Sequence, residues 1–174
     1  MENEKPLIKP IAYNYGLYLG LLSIGSLIIL YILNIESHWI ASVISIVATI
    51  AIYFYGISAY KKLNYNLLTI RDGLKTGMGM ALVGGIISAV YSAIHYSLIM
   101  PEFLSGKREE AIDTMLTQNP NMEGEPLEMA IKIIDITTSE FFISTIMLVG
   151  SLFLGFLISL IISAIIKKED PHAA

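Results

Sequence analysis

Four uninterrupted apolar stretches decide what this chain can fold into. They run over approximately Ile11–Leu33, Trp39–Tyr60, Gly77–Ile99 and Phe141–Ile166, and none holds an Asp, Glu, Lys or Arg. A bilayer core about 30 Å thick needs roughly 20 apolar residues in a helix rising about 1.5 Å per residue. Each stretch meets that length. A soluble helical core is the alternative, but amphipathic soluble helices interleave charges along one face, and these stretches do not. An apolar fraction of 55% and a mean hydropathy of +0.66 also exceed the soluble range. The expectation is an all-α, polytopic membrane protein: one domain over residues 1–174, four transmembrane helices, and a small helical extracytoplasmic segment (101–140) between helices three and four.

The net charge of −4 hides an asymmetry. Lys5 and Lys9 precede the first stretch, Lys61, Lys62, Arg71 and Lys75 separate the second from the third, and Lys167 and Lys168 follow the fourth. The Glu36–His38 turn has no Lys or Arg, and 101–140 holds only Lys107, Arg108 and Lys132 beside nine acids. The positive-inside rule therefore predicts a multi-pass protein with both termini cytoplasmic. The first stretch has a basic flank but is too long for a cleaved signal peptide, and no small-residue cleavage site follows it. It reads as a retained signal anchor. With no Cys, disulfides and thiolate metal sites are excluded.

About five residues, Asn34–His38, join the first two spans into a tight hairpin. Tyr13, Tyr15, Tyr18, Trp39, Tyr53, Phe54, Tyr55 and Tyr60 cluster where the interfaces fall. Thr69-Ile70-Arg71-Asp72 is a helix-start signal, so the third helix is expected to begin before its apolar part. Between spans three and four, Ser105–Thr117 reads as a short amphipathic helix and Gln118–Glu125 as a loop. A second amphipathic helix starts from Pro126, and Thr137 with Glu140 is spaced as a capping box for span four. Both short helices are expected to lie over the outer membrane face.

Small residues recur every four positions: Gly16 and Gly20; Gly77, Ala81 and Gly85; Ser151, Gly155, Ser159 and Ser163. Such stripes let helices approach closely, within the bundle or between copies of it. His95 is the strongly polar ionisable group within a span, with Tyr91 four residues before it on the same face. A hydrogen-bonded structural histidine is the expected reading; a proton-linked or ligand-binding role is the alternative. Arg71 and Lys75 share a helix face, as an anchor to lipid phosphate or a contact for a cytoplasmic partner. Asn119-Pro120-Asn121-Met122-Glu123-Gly124 imitates half a calcium loop, but Ala130 stands where the bidentate Glu belongs. No phosphate loop, dinucleotide fingerprint, HExxH or nucleophile elbow is present.

Several short motifs together resemble a known family. They are Tyr15-Gly16 with Gly20, Gly56-Ile57-Ser58-Ala59-Tyr60-Lys61, the Thr69–Gly77 segment, Pro101-Glu102-Phe103, the outer helix pair and Lys167-Lys168. The chain is similar to the small four-helix membrane proteins of Bacteroidota grouped as the domain of unknown function 4199 family. The resemblance implies the fold and a membrane location, and carries over no activity or catalytic residues. The functional expectation is a non-enzymatic accessory or regulatory protein that binds another membrane component, beside the lipid bilayer itself. A small oligomeric permease or channel is the alternative. No cofactor, metal or nucleic-acid partner is expected.

Overall fold

The computed structural model describes residues 6–33 and 39–169. Six α-helices follow one another there: α1 (Ile8–Ile32), α2 (Trp39–Leu63), α3 (Ile70–Ile94), α4 (Pro101–Gln118), α5 (Glu125–Thr137) and α6 (Glu140–Ile166). A π-helical turn, His95–Ile99, continues α3 directly. Among the described residues there is no strand, and one isolated antiparallel bridge joins Leu68 to Lys168. Four helices are long and apolar enough to cross a membrane: α1, α2, α3 with its π turn, and α6. The Asn34–His38 turn, Lys5 and His172 lie outside the described residues.

The distribution of side chains matches lipid rather than water as the solvent. Thr76, Ser92, Ser159 and Ser163 are fully buried, while Ile46, Val47, Phe153, Leu154 and Ile161 are exposed. Lipid tails are as apolar as Leu, so an exposed Leu or Ile costs nothing there, and small residues inside allow backbones to close up.

The helices resolve into two compact units, residues 1–88 with 148–174 and residues 89–147. In the first, α3 is the central helix, and two of its faces follow regular registers. Toward α1 the pairing is parallel: Ala12 meets Gly79, Gly16 meets Met80 and Val83, and Gly20 meets Ile87. Toward α6 it is antiparallel: Gly73 meets Ser163, Gly77 meets Ser159, Ala81 meets Gly155, and Gly85 meets Ser151. A methyl group added at Gly16 would lie 2.6 Å from Val83 Cβ, so close approach is obligatory there. Ser151 Oγ also donates to the Ala81 carbonyl at 3.1 Å, bonding α6 to α3. From α2, Tyr53, Ile57 and Tyr60 complete a core shared with Ile11, Leu68, Met80, Ala81 and Ile162.

The α2–α3 connection is closed tightly. Tyr65 and Asn66 adopt φ of 53° and 61°, the left-handed region that non-glycine residues enter sparingly. Asn64 Nδ2 bonds the Leu67 carbonyl at 3.0 Å. Leu68 and Lys168 exchange both backbone hydrogen bonds, at 2.8 and 3.0 Å. Thr69 then caps α3: its Oγ1 accepts from the Asp72 amide at 3.1 Å and donates to Asp72 Oδ2 at 2.8 Å. The helix thus begins at Ile70, as the helix-start signal requires.

Lys61 fastens the same corner, donating from Nζ to the Ile166 carbonyl at 2.8 Å, at the C-terminus of α6. A cation on an orphan terminal carbonyl satisfies the group and opposes the helix dipole. Lys61→Met is expected to lower stability by about 1 kcal/mol. It should also speed amide exchange at Leu68 and Lys168; unchanged exchange would show that the corner holds without it.

The entry to α6 differs from the expected capping box. Ser139, not Thr137, is the cap, its Oγ accepting from the Phe142 amide at 3.2 Å. Thr137 belongs to the last turn of α5, where its hydroxyl bonds back to the Ile133 carbonyl at 2.9 Å. Three hydroxyl residues, Thr137, Thr138 and Ser139, follow one another, and only Ser139 directly precedes Glu140, where its oxygen meets the amide three residues on. α4 starts at Pro101 rather than Ser105, proline being suited to a first helical position. Pro126 lies in the first turn of α5 as expected.

Candidate functional site

The chemistry-bearing residues of the second unit gather around the π turn. Pro101 brings no N–H for the carbonyl four residues earlier, Ser97, and disfavours helical geometry at Met100. Met100 accordingly takes φ −136° and ψ 55°, and its amide bonds the His95 carbonyl at 2.8 Å, five residues back. Wide turns of this kind are frequent at functional positions.

His95 is 2% exposed at the head of this turn. Its ring lies 5.7 Å from Tyr91 at an interplanar angle of 38° and 5.3 Å from Tyr96 at 86°. Tyr96 stacks on Phe103 of α4 at 5.4 Å, and Lys107 Nζ sits 5.8 Å from the Phe103 centroid. Lys107 also pairs with Glu110 at 2.9 Å. The arrangement is a continuous file of rings ending in a cation, with aromatic contacts holding the π turn against α4. Ser92, one turn before His95, and, separately, Ser144 of α6 carry enclosed hydroxyls with no hydrogen-bond partner among the described residues. No group of three or more His, Asp or Glu suited to a metal ion occurs among those residues.

The structure therefore brings Tyr91 and His95 together. It sets Gly16 and Gly20 against α3, and Gly77, Ala81 and Gly85 against Ser159, Gly155 and Ser151. Ser159 and Ser163 are buried over Gly77 and Gly73 with their hydroxyls unpartnered among the described residues. Arg71 and Lys75 are exposed in the first turns of α3, on either side of the buried Asp72. The sequence reading missed Tyr96 and Phe103 as members of the His95 region. Pro101 was the signal that the span does not run on as regular α-helix.

A second feature lies between α1 and α2. Leu21, Leu22, Gly25, Ser26, Ile29 and Leu30 face Ala41, Ser42, Ile44 and Ser45 across an apolar cleft. Within it a hydrogen bond of 3.1 Å joins Ser26 Oγ and Ser45 Oγ, and Ser26 also donates to the Leu22 carbonyl. Nothing lies within 4 Å of where a side chain on Gly25 would begin.

Fold and composition define a class: an all-α, multi-pass membrane protein with four spans and a helical segment between the third and fourth. Residues 14–168 match the family described as Protein of unknown function (DUF4199), and the chain belongs to that family. Neither a curated protein nor a solved structure matches it.

Proposed function

We propose that this protein is a non-enzymatic accessory or regulatory component of a bacterial inner membrane, with both termini cytoplasmic, which binds another membrane protein. The α1–α2 cleft carries the reading. Spans α1 and α2 are the least buried of the four, and between them the chain leaves a small-residue recess unfilled at Gly25. In lipid, where apolar burial does not drive association, such recesses are where a second helix gains dispersion contacts. The orientation is supported by the eight bases flanking the spans on one side against three in residues 101–140.

The test is purification from native membranes in a lipid-preserving solubiliser, followed by mass determination of the intact complex. A stoichiometric foreign subunit is expected. Gly25→Leu should remove that subunit while the chain stays folded, because leucine fills the cleft and is also the better helix former by up to about 1 kcal/mol. A complex that survives Gly25→Leu would remove the cleft from the binding surface. A second reading, a small oligomeric permease, is favoured by the enclosed Ser92, His95 and Ser144 within spans. A pure homo-oligomer would put that reading first.

A further inference from the structure

We propose that α5 is a membrane-surface helix, with Met129, Ile133 and Ile136 embedded in the headgroup layer of the bilayer that α6 crosses. α5 has two apolar flanks. Leu127, Ala130, Ile131 and Ile134 are half-buried within the hairpin that α5 forms with α4, which is tied by Arg108 to Asp135 at 2.6 Å. Met129, Ile133 and Ile136 are 59%, 58% and 53% exposed, and their spacing of four and three aligns them along one side, with Ile133 also bordering the α4–α5 groove beside Ala130 and Ile134. Glu125, Glu128 and Lys132 fill the remaining sector.

Two facts say what covers the stripe. Thr138 and Ser139 alone separate α5 from α6, so the stripe ends beside a membrane span. The first apolar residue of that span, Phe141, is 79% exposed, so an exposed apolar side chain stands five residues beyond Ile136 where the span begins. A short amphipathic helix fixed at that depth buries its apolar side in the interface and leaves its charges in water. The polar side is mostly acidic, so insertion is driven by apolar contact and needs no anionic lipid. α4 offers no equivalent: Glu102, Glu109 and Asp113 form one of its sides, and Leu116 is its one large exposed apolar residue. The inference thus narrows the expectation of two helices over the membrane to one, by a named face.

The chain has a single Trp, Trp39, so Trp39→Phe provides a silent background. In it, Ile133→Trp reports from the stripe and Glu128→Trp from the charged side, with the full chain reconstituted into phosphatidylcholine vesicles brominated near the headgroup end of the acyl chain. The expected result is that Ile133→Trp loses about half its emission to the brominated lipid and resists aqueous acrylamide several-fold better than Glu128→Trp. Equal acrylamide quenching at both positions with no response to bromine would overturn the proposal and give the stripe to a soluble partner. Shielding from both quenchers would overturn it in favour of a second copy of the chain. Met129→Trp, checked for unchanged helicity, repeats the measurement if Ile133→Trp distorts the helix. No outcome depends on the α1–α2 cleft.

Discussion

Gly77→Ala is expected to destabilise the packed bundle by about 2–3 kcal/mol, read as an earlier unfolding midpoint in mixed micelles. The new methyl group would overlap both Cβ and Oγ of Ser159, and Ile57 Cδ1 stands 3.6 Å away on the other side. Neither neighbour is a free chain end: Ser159 and Ile57 are fully buried. Relief therefore requires α3 and α6 to separate, and that separation also loosens Gly73 from Ser163 one turn away. The check is compensation. Ser159→Gly removes both overlapping atoms and costs about 1 kcal/mol alone, through lost contacts and helix propensity. In combination the two changes should restore stability to within about 1 kcal/mol of the parent, a non-additivity that distant sites do not show. If Gly77→Ala unfolds at the parent midpoint, the α3–α6 register is not what holds the spans together.

Met80→Ala is expected to cost about 2 kcal/mol, near the low end of the range for such truncations in soluble cores. The physical reason for the low end is the solvent. Part of a soluble core's loss is transfer of apolar surface from water, and lipid removes most of that part. What remains is the cavity and its lost dispersion contacts, and Met80 is fully buried where α1, α2 and α3 meet. Its Sδ and Cε press on Gly56, each 2.6 Å from where a methyl on that glycine would sit. A sign reversal follows. Gly56→Ala should destabilise the parent, yet stabilise the Met80→Ala variant by filling the space the thioether has left. Destabilisation by Gly56→Ala in both backgrounds would place its conflict with Tyr15 Cγ, 3.1 Å from the same point, rather than with Met80.

How far the chain could be read before its structure was seen depended on the range of the interaction. The spans were legible because length and absence of charge are properties of consecutive residues, and Thr69 with Asp72 was legible because a cap acts over three positions. Thr137 was misread because spacing alone cannot say which of three successive hydroxyls, Thr137, Thr138 or Ser139, directly precedes α6; Ser139 does. The π turn escaped because it needs Pro101 to withhold a donor and the His95 carbonyl to accept from Met100 instead. The small-residue stripes were visible as periods, but a period does not name its partner. Only the structure shows Gly16 on α3 and Ser159 on Gly77. Leu22, Gly25, Ala41 and Ser45 look like ordinary span residues until the α1–α2 cleft is seen around them.

The α3–α6 register also imposes an order on biosynthesis. α3 is complete at Ile94, but the serines that close over Gly73 and Gly77 arrive only with Ser159 and Ser163 of the last span. At translation rates of roughly 5–20 residues per second, the interval between Gly77 and Ser159 lasts on the order of ten seconds. For that time a three-span intermediate presents a bare glycine groove to the bilayer, open to any helix of matching shape. Faithful assembly is therefore a race between the chain's own final span and its neighbours in the membrane, which slow translation across residues 100–140 would tilt toward the neighbours.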